Sequence, residues 1–83
     1  MLRYSAESKL PQKDVIDLAS KHFGASGAGL KVTSRDDASI CLESADGYVT
    51  LSTCRSEAKG RRTHLEIETR EYDGQVTSFL RSL

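Results

Sequence analysis

Ile40-Cys41-Leu42-Glu43-Ser44-Ala45-Asp46-Gly47-Tyr48-Val49-Thr50-Leu51 is the stretch that decides the fold. Ile40 and Leu42, then Val49 and Leu51, alternate with polar neighbours, which is the period of a half-buried strand. Asp46-Gly47 between the two runs is a hairpin signal and predicts a type I′ turn. With a two-residue loop, Ala45 lies opposite Tyr48, Glu43 faces Thr50 and Cys41 faces Ser52. Such a hairpin is apolar on one side only, so that side needs a cover.

The alternation continues in both directions. Upstream, Leu30 and Val32 face one way while Lys31, Thr33 and Arg35 face the other, and Asp36-Asp37 marks a turn. Downstream, residues 57–61 make the next turn, and Leu65 and Ile67 carry the buried side of a further strand. At the start of the chain Leu2, Tyr4 and Ala6 alternate with Arg3, Ser5 and Glu7.

Two segments have helical spacing and supply the cover. Val15, Ile16, Ala19 and Phe23 form one stripe over residues 11–23. Pro11 suits a first helical position, Asp14 complements the dipole, and Gly24 is read as a left-handed stop. Tyr72, Val76, Phe79 and Leu83 share a second stripe with Leu80 beside them, and Gly74 weakens its first turn by about 1 kcal/mol. The expected fold is α+β in the order β-α-β-β-β-β-α: a four- or five-stranded antiparallel sheet with two helices on one face. The expected core joins the first stripe and Leu30, Val32, Ile40 and Leu42 to Val49, Leu51, Leu65, Ile67, Val76, Phe79 and Leu80.

Eighty-three residues allow one domain, read as residues 1–83, with a stability of roughly 4–12 kcal/mol. A composition of 37% hydrophobic and 29% charged residues is that of a globular chain, and no apolar run reaches the roughly 18 residues of a membrane span. The opening Met1–Glu7 lacks the apolar centre of a signal peptide, so a cytoplasmic protein is expected. Twelve basic and twelve acidic residues cancel, which argues against broad attraction to nucleic acid. The densest basic run, Lys59-Gly60-Arg61-Arg62, reads as a solvated turn. Two cysteines do not make a disulfide framework, and they are expected as free thiols.

No motif carries a reaction. The glycines of residues 24–29 follow a helix and precede a strand, the reverse of a phosphate-cradling loop, and read as a flexible linker. If the next hairpin centres near Lys59, Cys54 lies opposite His64, and Cys41, Cys54 and His64 share one surface with Glu66 nearby. That set lacks a tight pair and a fourth ligand for zinc, and a Cys54–His64 nucleophile pair lacks an orienting group and a dry pocket. His22 reads as a dipole-favoured residue at a helix end. Glu66, Glu68, Arg70 and Glu71 are expected to pair with Arg55, Arg61 or Arg62.

In element order the chain resembles one repeat of the TATA-binding-protein fold and a trimmed helix-grip domain of the START and polyketide-cyclase group. It is also similar to small uncharacterised bacterial and archaeal proteins with a like closing segment. The first resemblance implies an open sheet face, and a separate reading of the residues is weak nucleic-acid binding through Arg3, Lys31, Arg35 and Arg70 on that face. The second implies a small-ligand cavity between Phe79, Tyr72 and the sheet. Both phenylalanines, Phe23 and Phe79, fall on helix stripes and not on the open face. The residues themselves point to a non-enzymatic interaction module, self-associating as a homodimer or binding a protein partner, with no cofactor and no metal. Its candidate face comprises Cys41, Tyr48, Thr50, Ser52, Cys54 and His64, which are less charged than the remaining surface.

Overall fold

The computed structural model describes residues 2–25, 27–56 and 62–83. The expected turn at 57–61 and most of the basic run at 59–62 lie outside them, as does Ser26. Strands β1 (Leu2–Ser8), β2 (Lys31–Arg35), β3 (Ser39–Glu43), β4 (Tyr48–Ser56) and β5 (Arg62–Arg70) alternate with helices α1 (Gln12–Phe23) and α2 (Asp73–Arg81) in the expected order. They form one antiparallel sheet of five strands, ordered β1-β5-β4-β3-β2. No helix among the described residues is long and apolar enough to cross a membrane.

The first and last strands are neighbours: Leu2 pairs with Thr69 and Ser8 with Thr63. β1 and β2 consequently occupy opposite edges, and α1 joins them over one face. Its stripe of Val15, Ile16, Ala19 and Phe23 is buried there. α2 adds Val76 and Phe79 beside it, and the Phe23 and Phe79 rings meet with centroids 5.2 Å apart. The sheet contributes Ile40, Leu42, Val49, Leu51, Leu65 and Ile67, and Leu30 joins them just before β2, all essentially inaccessible. Leu80 is only partly buried at the rim. Val32 leaves the core altogether, 38% exposed on the edge strand, where no further strand or helix closes over it.

Three local readings change. The loop at 44–47 is not a two-residue type I′ turn, because Asp46 and Gly47 both have negative φ. Glu43 pairs with Tyr48, so four residues make the loop. Ser44 closes it: its N–H donates to the Gly47 carbonyl (2.9 Å), and its Oγ accepts the N–H groups of Asp46 and Gly47. Glycine is needed at 47 for a close approach, since an added Cβ would run into the Arg70 carbonyl.

A bulge in β2 is the second change. Val32 opposes Leu42 and Ser34 opposes Cys41, leaving Thr33 unpaired, with its hydroxyl donating to the Cys41 carbonyl at 3.3 Å. An extra residue reverses every side chain beyond it. Ser34 thus takes the open face and Arg35 turns to the helix side, where it pairs with Asp17 of α1.

The third lies after α1. Pro11 stands one position before the helix as its N-cap, with its carbonyl accepting from Asp14 and Val15. Gly24 is extended (φ −75°, ψ −164°), and the left-handed residue is Gly29 (φ +89°). The described part of the segment is no loose linker. Ala28 and Leu30 donate to the His22 and Phe23 carbonyls, and Gly29 to Gly24, so these two carbonyls at the helix end are satisfied.

Polar groups inside the sheet are partnered. Thr63 Oγ1 donates to the Leu10 carbonyl, Thr69 Oγ1 to that of Tyr48, and Thr53 Oγ1 to that of Ala38. Gln12 Nε2 reaches Thr53 Oγ1 at 3.0 Å, fastening the start of α1 to β4. Asp36 holds the β2–β3 turn by accepting the N–H groups of Ala38 and Ser39 (2.8 Å each) and the Ser39 hydroxyl. Those bonds hold its carboxyl below the usual range.

Two substitutions should move stability in opposite directions. Gly47→Ala pushes a methyl against strand backbone and should cost about 1–3 kcal/mol in denaturant unfolding. Glu71, left-handed at φ 73° where β5 meets α2, carries the strain of a side chain in that region. Glu71→Gly should therefore stabilise by roughly 0.5–1 kcal/mol, against the small loss expected of glycine elsewhere.

Candidate functional site

Both helices lie on one side of the sheet, so the other side carries the outward row of every strand. From β4 these are Tyr48, Thr50, Ser52 and Cys54; from β3, Ser39, Cys41 and Glu43; from β5, Arg62 at the sheet's end, His64, Glu66, Glu68 and Arg70. β1 adds Arg3, Ser5 and Glu7 at one edge, and β2 adds Lys31 and Ser34 at the other. All six expected residues, Cys41, Tyr48, Thr50, Ser52, Cys54 and His64, belong to this face. Alternation guarantees that much, because a register error of two residues does not change the face.

Register decides which of them meet. Cys54 lies directly opposite His64. Cys41 lies opposite Thr50 and not Ser52, a consequence of the four-residue loop. Cys54 is then four residues along β4 from the partner of Cys41, about 13 Å at strand rise, well beyond disulfide reach. Both thiols are free, Cys41 partly covered and Cys54 exposed. Among the described residues no three His, Cys, Asp or Glu side chains are placed to share a metal ion.

The face divides into a neutral half and a charged half. Thr50, Ser52, Cys41, Ser39 and Ser34 form a patch of small polar side chains over β4, β3 and β2. The β1–β5 half holds an ion-pair cluster centred on Glu68. Arg3 Nε donates to Glu68 Oε1 at 3.0 Å and the Tyr48 hydroxyl donates to Oε2 at 3.3 Å. The expected partners of the acidic residues are corrected here: Arg3 from β1 pairs with Glu68, while Arg55 lies opposite Thr63 on the helix-side row and Arg61 is outside the described residues. With Arg3 so exposed, the pair contributes about 0–1 kcal/mol and positions Glu68 more than it stabilises the fold. Glu66 is 3.6 Å from His64 Nε2 on the same strand.

Tyr48 links the two halves. Desolvation on the sheet, then the adjacent Glu68 carboxylate and the hydrogen bond to it, raise the phenol above its ordinary value. His22 is in the last turn of α1, as expected, and it also makes contacts beyond that helix: its Nε2 contacts the Gln75 carbonyl at 3.1 Å and its ring packs on Phe23 and Phe79, so it ties α1 to α2. Sequence reading missed both contacts, since each joins residues far apart in the chain. The single available signal for Arg3–Glu68 was the alternation of β1 itself.

No family model, curated protein or solved structure matches the chain. The open face must therefore be read from its own chemistry.

The Tyr48–Glu68 contact makes a pH prediction. An NMR titration of Tyr48 should give a midpoint above the ordinary phenol value of about 10, and Glu68→Gln should lower it without abolishing the shift, because desolvation is the larger cause. The unfolded chain gives up this proton first. Tyr48 therefore lowers folding stability as pH rises above the ordinary phenol value, and Tyr48→Phe should remove that part of the alkaline loss.

Proposed function

We propose that this chain is a non-enzymatic interaction module whose open sheet face associates with a second copy of itself. The observation that carries the reading is the segregation of the sheet: both helices and the whole apolar core are on one side, and the other presents a neutral polar patch beside a mixed-charge cluster. Interface centres are depleted in charge, as Thr50, Ser52, Cys41 and Ser34 are. Four cations on the face (Arg3, Lys31, Arg62, Arg70) stand against four carboxylates (Glu7, Glu43, Glu66, Glu68). Two copies brought face to face thus meet little net repulsion.

Size sets the strength. Five strands about 4.8 Å apart, of five to nine residues and so about 17–30 Å long, present roughly 550 Å², below the ~800 Å² per partner of a standard stable interface. The reading is therefore a weak, reversible dimer that forms in the micromolar range.

Two other readings are weaker. A nucleic-acid face of the TATA-binding kind loses Arg35, which pairs with Asp17 on the opposite side, and retains Glu43, Glu66 and Glu68 to repel phosphates. A helix-grip ligand site needs space between Phe79, Tyr72 and the sheet. There Phe23 and Phe79 are fully buried against one another, and the Tyr72 hydroxyl bonds to Ser44 Oγ.

Sedimentation equilibrium across the micromolar range should show a monomer–dimer equilibrium. Thr50→Arg, which sets an extra cation in the neutral patch, should weaken it by at least about tenfold while leaving the melting temperature of the monomer unchanged. A strict monomer at the highest concentration, or a dimer indifferent to Thr50→Arg, ends this reading.

A further inference from the structure

The chain as a whole carries no net charge, yet its basic residues are not evenly spread. At one end of the sheet, on the helix side, a cleft of about 590 Å³ opens between the first turn of α1, the β2–β3 turn and the ends of β4 and β5. Lys9, Lys13, Arg55 and Arg62 line it, one from each of four different segments. Among the described residues that line it, Asp37 is the one carboxylate. Among the described residues, none of the four cations forms an ion pair. Four cations around one cleft repel one another, and a bound anion is what relieves them.

The walls also restrict what kind of anion fits. Leu10 and Pro11 give the cleft an apolar side, suited to the organic part of a ligand and useless to a bare ion. Its volume lies within the ~300–1,000 Å³ of small-molecule sites. Gln12 and Thr63 do not compete for the ligand, because their side chains are committed to Thr53 and to the Leu10 carbonyl. Two arginines offer forked donors that match phosphate oxygens, and two lysines add mobile point charges. Toward the β2–β3 turn an extended nucleic acid is disfavoured, since Asp37 lines the cleft there and Asp36 is in the turn beside it.

We propose that this cleft binds a phosphate-bearing small molecule, with the phosphate among Lys9, Lys13, Arg55 and Arg62 and the organic part against Leu10 and Pro11. The cleft opens at the sheet's end on the helix side, and of its cations only Arg62 starts from the outward row of β5, so Thr50→Arg tests the self-association face without touching the cleft.

Titration of the ¹⁵N-labelled full chain at low salt with inorganic pyrophosphate, and in parallel with adenosine diphosphate, tests it. Pyrophosphate should move the amides of residues 9, 10, 12, 13 and 63 saturably, with a dissociation constant below about 1 mM. Adenosine diphosphate should move the same amides and bind more tightly, through the apolar wall. Arg55→Ala with Arg62→Ala should weaken both by at least about tenfold, while Lys21→Ala with Lys31→Ala, cations elsewhere on the surface, should leave both unchanged. All these side chains are exposed, and an unchanged circular dichroism spectrum and melting temperature would confirm that each variant is folded. Shifts that do not saturate, or that survive the double arginine variant, would overturn the site. Equal binding of the two probes would overturn its organic part. A short single-stranded DNA that saturates the same amides more tightly than adenosine diphosphate would overturn the small-molecule reading.

Discussion

Pairing of β1 with β5 is the constraint on which the rest of the structure depends. These two strands come from opposite ends of the chain, and seven consecutive residue pairs from Leu2–Thr69 to Ser8–Thr63 hold them together. Once β1 is at one edge and the β2–β5 meander runs out to the other, the link between β1 and β2 must cross the sheet. α1 makes that crossing. Its twelve residues span about 18 Å, close to the ~19 Å between the outer strands of a five-stranded sheet. The crossing also explains why the apolar stripe of α1 meets β3 and β4 and leaves room over β5 for α2.

The same geometry accounts for the polar residues inside. β4 and β5 are nine residues long, whereas β3 has five, so the long pair runs on past the start of α1. Where helix cover ends, the inward row changes from leucine and isoleucine to Thr53, Thr63 and Ser8. Each of these side chains bonds to a backbone or side-chain group of the connections around it. The packed core stops at this row, and the basic cleft begins just beyond it. A boundary between dry core and water is where a small fold has concave space left over.

Much of this layout was legible in the residues. Alternation identified the strands and the inner row from Ile40 to Ile67, and the two helical stripes identified α1 and α2, because burial of one face imposes period 2 on a strand and about 3.6 on a helix. The six open-face residues were found for the same reason. Errors arose where a one- or two-residue change in pairing left the local pattern intact. Asp46-Gly47 looks like a type I′ turn, but Ser44 closes a longer loop, and Cys41 consequently moves away from Cys54. Thr33 looks like an ordinary strand residue, but its bulge sends Arg35 through the sheet to Asp17. Val32 has an apolar side chain at an inward position and is exposed nonetheless, because being at the edge is a property of the assembled sheet.

The sequence by itself determined the element order, the faces of each element and thirteen of the core side chains, since each follows from local periodicity and from the cost of leaving apolar surface in water. Only the tertiary structure decided the β1–β5 adjacency, the Arg3–Glu68–Tyr48 cluster, the His22 clasp on α2 and the gathering of Lys9, Lys13, Arg55 and Arg62 round one cleft. Those contacts join residues tens of positions apart. No local preference encodes them; they exist because one register of one sheet, closed by its first and last strands, is the arrangement that buries both helix stripes at once.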